Sequence, residues 1–424
     1  MDNLLTLLYT LGFALLGYLC GSLPFAVWIT RLFKGLDVRE AGSGPAAAAA
    51  PSGGASRSPS VRPLRTGVVT TQIWIKLLKN RHGKGLEIEI KSILPPSEVT
   101  MPDVVCMGEL LAEFVSTQAN VSLVDSPGFF KAPGGAPANV AVALQRLGLS
   151  AGFAGKIGDD PFGVFLRQSL EADGVDTRFL LVDPQARTTM VFVAVWEDGR
   201  KDLCFYRNPG ADMLLSPIEI SPELLEGVRC FHYGSISFID EPAASAQRKA
   251  LDMARAGGLM ISYDPNYRPM LWPSIEQAQT VIRDGFRFCH LAKISQEEWQ
   301  VATGQTDLHL GAQAVLAQGV ELLVISRGEQ GAVATNGDYW IELPACPVQV
   351  VETTGAGDGF MAAMIARLLP ERERTGSLAK VSPDVVRPAL RYATAVGALT
   401  CTRKGAIPAL PTEREVLEFL AHQE

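Results

Sequence analysis

The sequence predicts an α/β protein over residues 101–424, with a mainly parallel central sheet covered by helices on both faces. Three observations carry this. Apolar, strand-like runs recur at 104–111, 152–157, 228–236, 260–263, 288–294 and 322–326. Helical stretches such as 138–147 and 277–286 stand between many of them, the alternation that builds βα units. Glycine-rich strings then sit at the ends of such runs, where open α/β sheets bind their ligands. One passage breaks the pattern. Residues 188–196, the turn Glu197-Asp198-Gly199 and residues 203–206 read as a β-hairpin with no helix, a projecting lid.

The elements before residue 101 follow a different logic. Residues 4–30 contain no charged side chain, and about 20 apolar residues span a bilayer. Arg31, Lys34 and Arg39 follow at once, so the positive-inside rule places the N-terminus outside and the rest in the cytosol. Residues 1–40 are therefore expected to be a membrane anchor. Residues 41–100 are expected to be a basic linker. Its first part, 41–71, is rich in Gly, Ala, Pro and Ser and carries Arg57, Arg62 and Arg65 without an acid, a composition that stays disordered and can lie against anionic lipid. Within 72–93 the pattern suggests a short helix and a strand.

Charge separates the same two parts. Residues 1–100 carry 11 Lys/Arg against 6 Asp/Glu, and residues 101–424 carry 27 against 39, so about +5 and −12 sum to the net −7. An acidic globular part argues against nucleic acid as partner. The seven cysteines are scattered without a C-x-x-C pair, which implies neither a zinc site nor a disulfide framework.

The string Thr353-Thr354-Gly355-Ala356-Gly357-Asp358-Gly359-Phe360 is the most informative element. Val348, Val350 and Val351 read as the end of a β-segment, and 361–369 as a helix closed by Pro370. The glycines then lie at a helix N-terminus, where free N–H groups and the helix dipole attract an anion and no Cβ keeps it away. A carboxylate there is unwelcome to phosphate unless it takes a proton from an attacking nucleophile. Asp358 as general base, with the amides of Gly355, Ala356 and Gly357 holding developing charge, is the combination phosphoryl transfer needs.

Other strings mark a second half of the site. Gly134-Gly135-Ala136-Pro137-Ala138-Asn139 opens a helix, and its glycines would let a ligand approach the backbone while Asn139 offers donor and acceptor. Arg207 in Phe205–Asp212 and Arg268 in Ser262–Arg268 are planar, permanently charged forks suited to hydroxyl and phosphate oxygens. His232 reads as a packed strand residue. Ser326-Arg327-Gly328-Glu329-Gln330-Gly331 has glycines spaced for a turn against a nucleotide.

Together with Lys156–Gly163, these strings resemble the ribokinase-like (PfkB) carbohydrate kinases over essentially all of residues 101–424. Those at 205–212, 231–237 and 262–268 resemble fructokinases. The resemblance implies a ribokinase-like three-layer sandwich with a small β-hairpin lid near 112–133 and 188–212. It implies ATP-dependent phosphorylation of a sugar, fructose to fructose 6-phosphate. The alternatives are another sugar or sugar acid such as 2-keto-3-deoxygluconate, or a catalytically silent regulator.

By the same resemblance, Glu113, Gly134, Gly135, Asn139, Arg207 and Arg268 would bind the sugar. Lys293, Ser326, Gly328, Gly331, Gly405 and Ala406 would line the nucleotide site, and Glu298 would help organise Mg²⁺ through water. Glu113 and Glu352 stand where the family usually has Asp, which bears on sugar affinity and on K⁺ dependence. Sugar and ATP are the expected partners, with pairing of two copies through the lid. A second resemblance covers residues 1–44, from Gly17-Tyr18-Leu19-Cys20-Gly21-Ser22-Leu23-Pro24 to Gly42-Ser43-Gly44: the first membrane helix of the acyl-phosphate glycerol-3-phosphate acyltransferases. The match stops there, so it implies at most an anchor. Met101 is a natural start for the kinase.

Overall fold

The computed structural model describes residues 73–79, 86–92, 101–196 and 200–423. The expected span 4–30, the linker 41–71 and the hairpin tip 197–199 lie outside the described residues. Among the described residues no helix is long and apolar enough to cross a membrane. Instead of a helix and a strand, the segment near 72–93 forms two antiparallel strands, β1 (Ile73–Lys79) and β2 (Leu86–Ser92). The β-branched and aromatic start Ile73-Trp74-Ile75 favours the extended form.

The predicted strand 104–111 divides at Gly108 into β3 (Val104–Met107) and β4 (Leu111–Ser116), which belong to different sheets. Then come β5 (Phe129–Gly134), α1 (Ala136–Arg146), β6 (Ala151–Gly158), α2 (Pro161–Ala172), β7 (Leu180–Asp183), β8 (Met190–Val195) and β9 (Lys201–Tyr206). β10 (Cys230–Tyr233), α3 (Ala243–Ala256), β11 (Met260–Tyr263), α4 (Ile275–Gly285) and β12 (Leu291–Ser295) continue the alternation. The chain closes with α5 (Trp299–Thr303), α6 (Leu308–Leu316), β13 (Leu322–Ser326), β14 (Ala332–Thr335), β15 (Trp340–Leu343), α7 (Ala356–Thr375), α8 (Pro383–Thr400) and α9 (Glu413–Ala421).

The central sheet has nine strands in the order β15-β14-β13-β12-β11-β10-β3-β6-β7. Seven run parallel, and β14 and β15 extend the edge antiparallel. Its strands are apolar on both faces, as a covered parallel sheet requires. On β3, Val104 and Cys106 join a core with α1, α7 and α8, while Val105 and Met107 join a second core with α3, α4 and α6. The chain leaves β3 for β6 and β7 on one side, then returns through β10 on the other. The carboxyl ends of β3 and β10 therefore flank a topological switch point, the expected position of a ligand crevice.

The lid is larger than a hairpin. β5, β4, β8 and β9 form a four-stranded sheet in that order, with β4 and β8 parallel. Alternate residues divide its faces. Leu111, Val115, Val191 and Val193 pack together on one. On the other, Phe114 stacks on Phe192 at 4.9 Å, and Phe129 and Tyr206 meet Phe192 edge-on.

Two local expectations fail. Residues 344–354 form no strand, and Val350 and Val351 are exposed. Their part of the chain is tied instead to the end of α8, where the Cys401 carbonyl accepts from the N–H groups of Val351 and Glu352. Pro370 does not end its helix, which runs on to Thr375. The proline forfeits one backbone hydrogen bond, but Leu368 and Leu369 are fully buried there, and that packing outweighs the loss.

Candidate active site

Gly355 begins the site. It caps α7 with φ 81°, a left-handed conformation natural to glycine, and a Cβ there would lie 3.0 Å from the Ala406 Cα. The Thr353–Phe360 string thus rests directly on the loop of Gly405 and Ala406. Glu352 fixes that contact by accepting from the Gly405 N–H at 2.9 Å, which gives its extra methylene a use. The Ala356 N–H turns back to the Thr353 carbonyl at 3.3 Å. Among the described residues, no acceptor meets the N–H groups of Gly355, Gly357 or Asp358. Of the three amides expected to be open, those of Gly355 and Gly357 are, whereas that of Ala356 is engaged and that of Asp358 is open in addition.

Asp358 lies in the first turn of α7 and is buried. The Asn139 side-chain amide donates to one carboxylate oxygen at 2.8 Å, and that of Asn266 to the other at 3.2 Å. Asn139 was expected to hold sugar hydroxyls; its donor is committed to Asp358, and its own Oδ1 is buried without a partner among the described residues. Asn266 adopts φ 47°, uncommon for a non-glycine residue and costly enough to need a local reason. Aiming its amide at Asp358 supplies one. Burial raises the Asp358 pKa above the usual aspartate range, against the Asn139 hydrogen bond and the charges of Lys293 and Arg268. Such a carboxylate is a better proton acceptor than an exposed one.

Beside it lies a buried ion pair. Lys293 on β12 and Asp264, just beyond β11, meet at 2.9 Å. Burial alone would lower the lysine's pKa, but Asp264 and Glu298 raise it, so the ammonium keeps its charge. A Cβ on Gly357 would sit 2.9 Å from the Lys293 Nζ, so this glycine lets the ammonium approach the α7 N-terminus. Glu298 is mostly buried, with its oxygens accepting from the Tyr267 N–H at 2.5 Å and the Ser295 N–H at 3.3 Å. No cluster of three potential metal ligands exists among the described residues.

The sugar-side residues partly change roles. Glu113, on β4, carries a carboxylate without a hydrogen-bond partner among the described residues, and burial pushes its pKa up to about 7 against the pull of Lys201. A Cβ on Gly134 would collide with that carboxylate, and one on Gly135, at φ 116°, with the Glu109 carbonyl. The lack of a Cβ at the paired glycines thus makes room for the protein's own Glu113 and Glu109. Arg207 differs most from expectation. It is buried at the root of the lid, with Nε and Nη2 on one Asp212 oxygen at 2.8 and 2.7 Å. Asp212 also accepts from the Thr189 hydroxyl. The fork is used inside the protein. Arg268 donates only to the neighbouring Tyr267 carbonyl, at 3.1 Å, leaving the rest of its fork uncommitted among the described residues.

On the nucleotide side, β12 and β13 end in register at Ser295 and Ser326. The turn beyond has Gly328 at φ 54° with open space where a Cβ would stand, and Gly331 at φ 89° packed on the Leu343 carbonyl. His232 is fully buried against the Ser262 hydroxyl at 3.0 Å, its pKa pushed down to about 3 by burial, so it is the packing residue its strand position suggests. The sequence reading passed over Asp264, Asn266, Glu109 and Lys201 as site residues. Asp264 and Asn266 stood within a quoted string; burial and the positive φ that single them out are tertiary properties.

The profile of pfkB family carbohydrate kinases matches residues 101–413, and that of glycerol-3-phosphate acyltransferase matches residues 11–51. Fructokinase-1 of Oryza sativa subsp. japonica is 43% identical over 318 residues, covering 75% of this chain and 97% of its own. Among solved structures, a fructokinase from Xylella fastidiosa with bound ATP superposes with a TM-score of 0.70 at 31% identity, over 76% of this chain and 99% of that one. A double-mutant fructokinase from Vibrio cholerae O395, in a form bound to fructose, ADP and a potassium ion, gives 0.66 at 29% identity over 76% and 99%. The mostly parallel α/β fold described above is thus ribokinase-like.

Proposed function

Because the chain belongs to the pfkB family of carbohydrate kinases, we propose that this sugar kinase transfers the γ-phosphoryl group of ATP to fructose, giving fructose 6-phosphate. One observation carries the chemistry: Asp358 is buried, clamped by two amides and set in the first turn beside N–H groups that meet no acceptor among the described residues. In this reading Asp358 takes the proton of the sugar hydroxyl as its oxygen attacks the γ-phosphorus. The Gly355 and Gly357 amides and Lys293 stabilise charge on the transferring group, and the Ala356 amide could join them by leaving the Thr353 carbonyl. Asn139 and Asn266 hold the base, and Glu113 accepts from the sugar with Gly134 and Gly135 giving it room. Arg268 faces the same space. Arg207 serves through Asp212, fixing the lid root.

Ser326, Gly328 and Gly331 would line one side of the nucleotide, and Gly405 and Ala406 the other. Mg²⁺ bound with the phosphates would supply further charge neutralisation, with Glu298 reaching it through water. Glu352 ties this loop to the α7 N-terminus, and K⁺ dependence would be expressed there. Fructose is supported by the printed names of the relatives and by the three fructokinase-like strings. The test is the purified protein with ATP, Mg²⁺ and a panel of fructose, glucose, ribose and 2-keto-3-deoxygluconate. The highest kcat/KM should be with fructose; a competitor that exceeds it removes the specificity, and no turnover on any sugar removes the kinase reading.

Two further proposals complete the reading. The aromatic lid face, with Tyr206 59% exposed, would pair two copies. The uncharged segment 4–30, on its sequence alone, would tether the full chain to a membrane. Size measurement and membrane fractionation test these in turn.

A further inference from the structure

Lys201 has no role in the reaction as assigned so far, yet it occupies a position that needs explanation. It is the first residue of β9 and pairs with Val195. Counting in steps of two along paired strands puts it on the lid face that bears Glu113, Val191 and Phe205. From there its ammonium crosses to the base of the site and donates to the Thr354 hydroxyl at 2.8 Å, a contact between residues 153 apart. Thr354 immediately precedes Gly355, whose N–H meets no acceptor among the described residues. The ammonium therefore stands at the mouth of the anion site.

Its surroundings are unusual for a lysine that serves only stability. Glu352, Glu113 and Asp358 attract it and Arg268 repels it. None of those acids closes to an ion pair with it among the described residues; its partner is a neutral hydroxyl. Crowding by protein atoms and by Arg268 lowers its pKa below the usual lysine range, against the pull of the acids. Lys201 is solvent-exposed, so its ammonium is free to leave Thr354, and beside Arg268, with neither cation in an ion pair among the described residues, it is well placed for a ligand with several negative charges.

Resting on the kinase reading above, we propose that Lys201 is a catalytic residue: its ammonium moves from Thr354 to the non-bridging oxygens of the phosphoryl group in transfer. In the step, the sugar oxygen forms the new bond to the γ-phosphorus and its proton passes to Asp358. The bond from phosphorus to the β,γ-bridging oxygen breaks with its electron pair retained by ADP. Lys201 transfers nothing. It neutralises the equatorial oxygens from the lid face, a short reach from its contact with Thr354.

The experiment is steady-state kinetics of the full chain with fructose, ATP and Mg²⁺ across pH for wild type, Lys201→Ala and Lys201→Arg. Each variant is first checked for an unchanged melting temperature. Loss of one transition-state donor lowers kcat by about 10²–10³-fold, so Lys201→Ala should fall by that much while its KM for fructose stays within about threefold. Lys201→Arg should recover to within about tenfold of wild type, since its charge is kept. The protonated amine is the active form, so wild-type kcat should decline at alkaline pH, at a pH below the ordinary lysine pKa. The arginine variant should lack that decline. An unchanged kcat in Lys201→Ala, or a loss confined to KM, overturns the proposal. If wild type itself phosphorylates no sugar, the underlying kinase reading has failed instead.

Discussion

Helices α1 and α7 begin alike and end up with opposite tasks. Both follow a glycine at positive φ, and both point an N-terminus toward the same crevice. At α1 the protein supplies the anion itself: the Glu109 carboxylate accepts from the Ala136 N–H at 2.9 Å. At α7 no side chain caps the helix among the described residues, and the Lys293 ammonium lies 2.9 Å from where a Gly357 Cβ would stand. One N-terminus is closed by an internal acid and the other left open for a ligand. A glycine-rich helix start is therefore an incomplete signal; what fills it decides.

The comparison can be broken in order of expected effect. Asp358→Asn should lower kcat by about 10²–10⁴-fold with the fold intact, because it removes the base and keeps the shape. A stopped-flow or coupled assay reads it, and a mutant with near wild-type kcat would remove Asp358 from the chemistry. Equivalent alanines at the two helix starts should then part ways. Gly135→Ala forces a Cβ onto the Glu109 carbonyl at φ 116°, so it should cost about 1–3 kcal/mol of stability by denaturant melt. Gly357→Ala has an ordinary helical φ and meets only the movable end of Lys293. It should keep or raise stability while lowering kcat by about tenfold or more by displacing that charge. If both lose stability equally, the functional distinction between the two helix starts is wrong.

A smaller effect concerns Glu109. Burial raises its pKa to about 7, so the folded state holds its proton more tightly than the unfolded chain. Stability contributed by this group is full below about pH 4.5 and lost as pH rises toward 7. Glu109→Gln keeps the acceptor for Ala136 and cannot ionise, so at pH 8 it should be the more stable protein by about 1–3 kcal/mol, with the difference vanishing near pH 4. Urea melts at the two pH values measure it. The smallest effect is expected from starting the chain at Met101: kcat within about twofold of the full chain, since every site residue lies beyond it.

Much of this was legible from sequence. Six apolar runs marked strands of the parallel sheet because a strand covered on both faces must be apolar throughout, and the α7 string held the buried Asp358 and the unpartnered N–H groups of Gly355 and Gly357 together. What was not legible depends on partners far along the chain. Asn139 reads equally well as a sugar ligand or a clamp; only the position of Asp358 decides. Arg207 looks like a free fork until Asp212, five residues on, turns back to meet it. The two lid segments, near 112–133 and 188–212, were expected, but the parallel join of β4 to β8 that makes them one sheet spans a long gap with no local turn to announce it. Pro370 and the valines at 350 and 351 misled for the complementary reason, that packing and a distant carbonyl overrode local preference.

The clamp on Asp358 also bears on how the protein is made. Its two amides come from residues 219 and 92 positions earlier, while the base itself lies within the last seventy or so residues of the chain. A nascent polypeptide still on the ribosome can thus form the lid and most of the sheet before it owns either a proton acceptor or an open anion site. Fragments released early by abortive translation or proteolysis would share that lack, and would be unable to hydrolyse nucleotide wastefully by this route.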